Sequence, residues 1–528
     1  MRYFRGALIG LMITTLTLLS LLVGPAPARA ASGYTLTGVA TGTGTTSSDT
    51  AIRLTATFRS NGRTVKKATA SLQYLKGSAW VTERKVAIRA GRGSVKVKHS
   101  VGDRTYRFTV RGKATSAPFV VHFVPATFRF TGSGRGHGVG MSQYGAYQLA
   151  RAESWSAEQI LEHYYSGAKV DTAVNNPRTI KVQVLGPPSD SRTTTKLSIS
   201  SGGFTVSDGS TTLATTAKRK SIAIGVKGSR VTAKVTLVNG KARTLSAHRL
   251  LFRWSRSATV SVAGAHGTYR YGNLQATVIG KRPNVINELR MNTEYLYGID
   301  EMPSSWGGAA GKGLEALKAQ VIAARSYVIK AALKWKTDTA PLGANPACDC
   351  QVFDDARSQN FTGWKKAGAA GSAVWRQAVD QTMTASAVKI LRPSAAASQE
   401  IAETLYFASS GSYDLGGATY SGTGSNVDAF ASVAIGYLSH VDDPWSVQAP
   451  GNPYVSWTAK VSQSKVASLF RIGHIRSLRV TERYAGGLVK SLTATSATGV
   501  TSTISRSSEG WRTSLGLPGA WVAGISGR

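Results

Sequence analysis

Alternating apolar and polar residues fill the chain between residues 33 and 126. The alternations are short and are separated by turn residues; they include residues 52–58, 70–74, 85–88, 94–98 and 106–110. Successive side chains of a strand point to opposite faces, and strands repeated at intervals of about eight to twelve residues are typical of a β-sandwich. The pattern therefore predicts an all-β, immunoglobulin-like sandwich over residues 31–126.

The remainder of the chain mixes strand and helix patterns. Residues 179–299 are β-rich, and their last segment, residues 295–299, predicts a short strand that Pro303 ends. From residue 314 to about residue 336, apolar side chains recur at helical spacing. We therefore expect a multidomain chain, in which a mixed α+β domain with a β-rich subdomain follows the N-terminal sandwich.

Glu301 lies between the predicted strand and the predicted helix, where a single carboxylate can be positioned for chemistry. Two cations of the helix, Lys318 and Arg325, fall at the edge of its apolar stripe, so each needs a partner. In the simpler interpretation, both cations extend from a core helix towards solvent and Glu301 forms an ordinary salt bridge.

Residues 132–145 form a glycine-rich segment around His137. Glycine occupies alternate positions, at Gly134, Gly136, Gly138 and Gly140. Such a loop allows the backbone to approach a ligand closely, and Ser142 is placed to cap a following helix. The spacing does not fit a dinucleotide-binding or phosphate-binding loop. The alternative is a tight turn with a structural histidine.

Residues 405–413 read as an apolar strand that runs into small polar residues, among them Ser409 and Ser410. Hydroxyl and amide groups at such a strand end can donate hydrogen bonds to a sugar. The alternative is an ordinary hairpin.

Six blocks of sequence resemble the SpoIID/LytB family of bacterial cell-wall proteins. They are YGNL at 271–274, YLYG at 295–298, EMP at 301–303, EALKAQ at 315–320, AARSY at 323–327 and GHGVGMSQ at 136–143. With weaker matches, the resemblance extends over residues 128–522. It implies a SpoIID-like domain in which residues 127–175 carry the glycine-rich loop and helices and residues 176–522 form the core. It also implies a peptidoglycan lytic transglycosylase with Glu301 as its catalytic acid.

The implied chemistry requires only one carboxylate. A lytic transglycosylase protonates the bridging oxygen, and the same group then accepts the proton of the muramic acid 6-hydroxyl, which leaves a 1,6-anhydro end. Glu301 must therefore be protonated at rest, which requires a raised pKa. Asp300 would point to the opposite face of the predicted strand, so it is a poor second carboxylate. The motif positions further imply a substrate-binding role for His137, Gln143, Lys318, Gln320, Arg325, Ser409 and Ser410.

The chain departs from the family pattern in several places. The GHGVGMSQ block precedes the β-rich region, whereas in many relatives it lies near the C-terminus, and residues 307–313 are extra. Ser358 occupies the position of a cysteine that binds zinc in some relatives. None of the eight histidines forms HExxH or another metal-spaced pair, so we predict no metal and no cofactor. The two cysteines, Cys348 and Cys350, leave open a small disulfide, a surface metal site or two free thiols.

Residues 1–30 have the pattern of a signal peptide, with cleavage predicted after Ala30 and an uncleaved anchor as the alternative. We therefore expect a secreted, cell-wall-associated protein. The net charge of +37 is spread over the chain without a recognised nucleic-acid module. It favours anionic wall polymers over nucleic acid as partners, in addition to the peptidoglycan glycan strands, and the alternative is that the charge serves solubility alone.

Three functions compete at this stage. The first is the transglycosylase, acting on glycan strands that the family suggests must first lose their peptides. The second is a non-catalytic, wall-binding modulator that stimulates an N-acetylmuramoyl-L-alanine amidase. The third is a structural or adhesive exoprotein. The intact EMP and EALKAQ blocks favour the first, and a role in sporulation or in growth remains open.

Overall fold

The computed structural model describes residues 33–174, 178–335, 343–394, 400–415 and 418–528. The predicted signal segment, residues 1–30, lies outside these ranges. The fold is strand-rich, with several sheets and a later α+β region, as the sequence predicts. Within the described ranges, no helix has the length and apolar character needed to cross a membrane.

The N-terminal strands form one sheet with the order β1-β3-β7-β6-β5-β8-β10-β2, to which two short strands add. Strand β3 shows why the sheet forms: Ile52, Leu54, Ala56 and Phe58 are buried while the residues between them are not. The apolar faces enclose a core of their own. The strands are β1 Tyr34–Ala40, β2 Thr45–Ser47, β3 Ile52–Ser60, β4 Arg63–Thr64, β5 Lys67–Lys76, β6 Ala79–Arg89, β7 Arg92–Val97, β8 Gly102–Val110, β9 Ala114–Thr115 and β10 Phe119–Val124.

The next strand, β11, pairs with strands from the C-terminal part of the chain. Strand β11 lies between β31 and β35 in a three-stranded antiparallel sheet. Phe128 and Phe130 of β11 pack with Trp511 in a small core beside the sheet β32-β33-β34. The elements are β11 Thr127–Ser133, β31 Trp457–Ser462, α8 Gln463–Phe470, β32 Ile475–Arg483, β33 Val489–Ser496, β34 Thr501–Ser505, α9 Ser508–Leu515 and β35 Trp521–Gly527.

Two further sheets make up the predicted β-rich region. One has the order β17-β16-β21-β24-β25-β14-β26, and the other has the order β20-β19-β18-β15-β22-β23. Their strands are β14 Thr179–Leu185, β15 Thr195–Ile199, β16 Thr205–Ser207, β17 Thr212–Thr215, β18 Ile222–Lys227, β19 Arg230–Thr236, β20 Ala242–Ala247, β21 Leu250–Arg253, β22 Val260–Val262, β23 Thr268–Tyr269, β24 Asn273–Ile279, β25 Arg282–Arg290 and β26 Val352–Phe353. Strand β13, Ala168–Val174, belongs to neither sheet and pairs with β27, Ala387–Pro393.

The helical part packs around α3, the helix predicted from residue 314. It runs over Leu314–Leu333, buries 13 of its 20 residues, and contacts α1, α2, α5 and β27. The remaining elements are β12 Met141–Ser142, α1 Gln143–Ala152, α2 Ala157–Tyr164, α4 Trp364–Ala367, α5 Ser372–Asp380, β27 Ala387–Pro393, β28 Tyr406–Phe407, β29 Ser412–Leu415, β30 Ala418–Ser421, α6 Asn426–Phe430 and α7 Trp445–Gln448.

The strand predicted at residues 295–299 is wrong. Met291–Tyr295 forms a π-helical turn, and only Ile299 makes a β-bridge, to Phe361. Tyr295, Leu296 and Ile299 are all buried, a spacing that belongs to one face of a helical turn rather than to a strand. The ring of Tyr295 stacks on Phe361 with centroids 5.1 Å apart, so this turn is fixed against the segment that follows α3.

Cys348 and Cys350 are joined in a disulfide. Of the alternatives that the sequence leaves open, the structure therefore contains the small cystine loop. Asn284 of β25 donates a hydrogen bond to the Cys348 carbonyl over 2.8 Å, so the loop is tied to the seven-stranded sheet.

Candidate active-site cleft

Glu301 is positioned by hydrogen bonds between its own segment, residues 299–301, and residues 360–361. The Asp300 N–H donates to the Asn360 carbonyl over 2.8 Å, and the Asn360 side-chain amide donates to the Asp300 carbonyl over 2.7 Å. The Asn360 N–H donates to Glu301 Oε1 over 2.7 Å. These bonds, next to the bridge between Ile299 and Phe361, fix the carboxyl group on the wall of a cleft.

A chain of polar groups reaches Glu301 from the other side. The Tyr406 hydroxyl lies 3.4 Å from Glu301 Oε1 and donates to it, while it accepts a hydrogen bond from Gln359 Nε2 over 3.0 Å. Gln359 is fully buried and accepts from the Tyr295 hydroxyl over 2.8 Å. The predicted site did not include Tyr406, although it lies in the segment 405–413 that the sequence singles out.

Burial raises the pKa of Glu301 above its usual range, and the charge of Asp300 acts in the same direction. The Asn360 N–H, the Tyr406 hydroxyl and the Gln143 side chain act in the opposite direction but do not cancel the effect of burial. Asp300 itself is not positioned as a second acid, because its carboxylate forms a 3.0 Å ion pair with the buried Lys366.

The glycine-rich loop forms the adjoining wall. All four alternate glycines have positive φ, between 73° and 106°, which favours glycine. A Cβ at Gly140 would lie 2.0 Å from the Leu405 carbonyl oxygen, and one at Gly136 would lie 2.8 Å from Phe407. The loop therefore packs closely against residues 405–407 of the protein itself, and its approach to a ligand stays a prediction.

Gln143 and Gln320 are brought together at the end of this loop. Gln143 follows Ser142, which caps α1 as predicted by accepting from the Gly145 N–H over 3.2 Å. The Gln143 side chain lines the cleft and donates to Gln320 Oε1 over 3.2 Å. Gln320 is fully buried on α3, so it orients Gln143 from behind the cleft wall.

His137 lines the cleft between the rings of Phe407 and Phe430, with centroids 5.6 Å and 5.5 Å away. Its Nδ1 accepts from the Val139 N–H over 3.1 Å. Burial lowers the pKa of His137 to about 4, so the ring is neutral at neutral pH. The other ring nitrogen then carries the proton, which it donates to the Tyr406 carbonyl.

The structure places the other predicted binding residues away from the described cleft wall. Arg325 is fully buried, and its guanidinium donates to the Thr382 and Lys389 carbonyls over 3.1 Å each. Burial lowers the pKa of Arg325 to about 9. It therefore secures α3 to α5 and β27. Lys318 pairs with Glu315 over 2.6 Å.

Ser409 and Ser410 are also fully buried. The Ser409 hydroxyl bonds to the Ser410 carbonyl and accepts from the Asn452 amide, each over 2.9 Å. The Ser410 N–H donates to the Ser142 hydroxyl over 3.3 Å. Of the predicted binding residues, His137 and Gln143 thus line the cleft directly, and these serines support its glycine-rich wall from behind.

The cleft has a volume of about 760 Å³ and is built from segments far apart in sequence. Its wall is formed by residues 135–137, 143, 300–301, 327, 356–358, 360, 404–408, 430, 509 and 512. The GHGVGMSQ block and Glu301 therefore meet in one cleft despite the displaced position of the block in the chain. Among the described residues, no group of three or more His, Cys, Asp or Glu side chains is arranged to hold a metal ion.

The profile of the SpoIID family, described as Stage II sporulation protein, matches residues 280–387. Over these residues the chain is similar to the SpoIID domain. The matched segment contains Glu301, α3 and Gln359, whereas the glycine-rich loop and Tyr406 lie outside it. The domain indicates a sporulation-related or cell-wall-related function, and its family is associated with cell-wall lytic activity.

No curated protein matches the chain. Among solved structures, the adhesin InvE of Yersinia pseudotuberculosis is similar over 40% of this chain, at 13% sequence identity and a TM-score of 0.14. This chain spans 58% of the length of that adhesin.

Proposed function

We propose that the protein is an exported lytic transglycosylase that cleaves the glycan strands of peptidoglycan, with Glu301 as general acid and then general base. The observation that carries the proposal is the environment of Glu301. It is a carboxyl group on a cleft wall, its pKa is raised by burial, and two donors, the Asn360 N–H and the Tyr406 hydroxyl, both point at Oε1.

That arrangement suits an acid that must be protonated at rest. In the proposed reaction Oε2 carries the proton, because Oε1 already accepts two hydrogen bonds. Transfer of this proton to the bridging oxygen breaks the glycosidic bond and leaves an oxocarbenium-like muramic acid. The carboxylate so formed is stabilised by the same two donors. It then takes the proton of the 6-hydroxyl, whose oxygen closes on the anomeric carbon to give the 1,6-anhydro end.

A two-carboxylate hydrolase fits the cleft less well. Hydrolysis requires a second carboxylate as nucleophile or as base for water. The other acids on the wall are Asp300, which pairs with Lys366, and Glu509, whose two oxygens accept from Arg512 over 2.6 Å each. Each is already occupied by a cation, so neither is available to activate water.

The rest of the chain suits work at the cell wall. The basic charge of the whole chain would attract it to anionic wall polymers without any sequence readout. The N-terminal strand-rich module, proposed to be an immunoglobulin-like sandwich, would serve wall contact or spacing. Secretion, association with the wall and a partner amidase that removes stem peptides complete the proposal.

Mass spectrometry of peptide-free glycan strands tests this function. We expect anhydro-muramic ends with the mature wild-type protein and none with Glu301→Gln, which keeps an amide oxygen for the Asn360 N–H but has no acidic proton to transfer. Glu509→Gln is the matched control, because it changes a cleft carboxylate outside the proposed chemistry and should leave cleavage within a few-fold.

Two outcomes would redirect the assignment. Cleavage by Glu301→Gln at the wild-type rate would remove Glu301 from the mechanism. Binding of strands by both proteins without cleavage by either would favour the modulator of an N-acetylmuramoyl-L-alanine amidase, and stimulation of amidase turnover would then be measured.

A further inference from the structure

The charges on the cleft wall do not balance. Three arginines line the cleft, at Arg135, Arg357 and Arg512. Arg357 is engaged by Asp355 through both carboxylate oxygens over 2.8 Å, and Arg512 is engaged by Glu509 in the same way. Arg135 has no carboxylate within ion-pair distance among the described residues. No described carboxylate, Glu301 included, therefore pairs with Arg135, and its charge is uncompensated.

The backbone of Arg135 is fixed by hydrogen bonds, and its side chain rests on one aromatic ring. Its N–H donates to the Ser409 carbonyl over 2.8 Å, and its own carbonyl accepts from the Ser409 N–H over 3.2 Å. The guanidinium lies over the ring of Tyr454, 5.1 Å from the centroid, and Tyr454 is tied to the loop because its carbonyl accepts from the Gly134 N–H over 2.8 Å. A cation that is both positioned and unpaired is suited to bind an anion, because little side-chain freedom remains to be lost.

We propose that Arg135 binds a carboxylate of the glycan, the lactyl carboxylate that muramic acid bears once its stem peptide has been removed. The inference rests on the proposed function, since it concerns the same cleft and the same polymer. A guanidinium can bind a carboxylate through two parallel hydrogen bonds, which a lactyl amide cannot match because it has one acceptor oxygen and no charge.

This interaction would make Arg135 a specificity-determining residue. A strand whose lactyl groups are still amide-linked to peptide would lose the charge-assisted contact at the position where Arg135 meets it. The protein would then act after an enzyme that hydrolyses the lactyl amide, because only that reaction exposes the carboxylate. The preference for peptide-free glycan would come from one cation in the cleft and not only from steric exclusion.

The test removes the positive charge of Arg135 from the protein and, separately, the negative charge of the lactyl carboxylate from the substrate. Peptide-free strands are compared with the same strands after carbodiimide coupling of methylamine, which converts the lactyl carboxylates to methylamides. Wild type, Arg135→Gln, Arg135→Lys and Arg357→Gln are each assayed for kcat/KM. Binding to both strands is measured in the Glu301→Gln background, where no turnover is expected. Arg357→Gln is the matched control, because it removes a cleft arginine that already has a carboxylate.

We expect Arg135→Gln to lower kcat/KM and binding on the free-acid strands about tenfold, mostly through KM, and to leave the methylamide strands within about twofold. Arg135→Lys should restore part of the loss, since it returns the charge without the planar fork. Arg357→Gln should discriminate between the strands as well as wild type does.

Equal losses by Arg135→Gln on both strands would show a structural role and would overturn the inference. So would an absence of binding to either strand, or a wild type that does not distinguish them. If wild type cleaves neither strand but binding still depends jointly on Arg135 and the carboxylate, the proposed reaction fails while the recognition by Arg135 stands.

Discussion

Replacement of Gly140 by alanine tests whether the glycine-rich loop is fixed by close packing against β28. The residue has φ +74°, and a Cβ there would lie 2.0 Å from the Leu405 carbonyl oxygen and 3.1 Å from the Tyr165 ring. Because real Cβ contacts essentially never fall below 3.0 Å, the loop and the Leu405 segment must move apart. That carbonyl accepts from the Met141 N–H over 3.2 Å and from the Tyr165 hydroxyl over 2.7 Å, so both bonds are put at risk.

The magnitude follows from these two effects. Left-handed backbone costs alanine about 1–2 kcal/mol relative to glycine. Loss of two hydrogen bonds at a buried carbonyl adds about 2–3 kcal/mol. We therefore expect Gly140→Ala to lower the free energy of unfolding by about 3–5 kcal/mol in urea titrations. Glycan cleavage by the folded fraction should fall more than about tenfold, because Tyr406 follows Leu405 and loses its position beside Glu301.

Gly451→Ala is the control, since Gly451 has φ +70° and nothing within 4 Å of its added Cβ. It should show only the backbone strain of about 1–2 kcal/mol and unchanged cleavage. If Gly140→Ala were no less stable than Gly451→Ala, close approach would not be the reason for glycine at this position, and the account of the loop would be refuted.

Three further predictions concern the titration of Glu301. Burial raises the folded pKa of Glu301 above the unfolded value of about 4.5, so the wild-type protein loses stability as the pH rises through the folded pKa. Glu301→Gln should therefore unfold at a higher urea concentration than wild type at pH 8 and show little gain at pH 4. Tyr406→Phe removes a donor that favours the carboxylate, so the alkaline limb of kcat/KM should move to higher pH while the maximal rate falls. Asp300→Asn removes a charge that raises the Glu301 pKa, so the same limb should move to lower pH.

The last two variants control each other, since both alter a neighbour of Glu301 and leave the acid in place. Limb shifts of the same sign would contradict the assignment of Glu301 as the group that titrates. A Glu301→Gln protein whose gain in stability did not depend on pH would show that the carboxyl is not perturbed in the folded state.

Local pattern alone was enough to predict several features of this protein. The alternation in β3 and its neighbours, the cap at Ser142 and the start of α3 are encoded by residues within one or two turns or strands of each other. The prediction of a strand at residues 295–299 was wrong because it, too, relied on local pattern alone. Aromatic residues suit a strand and a buried helical turn equally, and stacking on Phe361 decided between them.

The sequence by itself determined the periodicity of the elements, the strand-rich class and the presence of one candidate acid, because those depend on spacing along the chain. The tertiary structure decided what surrounds that acid. Asn360 and Tyr406 reach Glu301 from 59 and 105 residues away, and Arg325 turns into the interior to bind carbonyls instead of a ligand. Such contacts, and the burial that raises the pKa of Glu301, exist only once distant segments pack together, since desolvation and hydrogen-bond geometry depend on neighbours in space and not on neighbours in sequence.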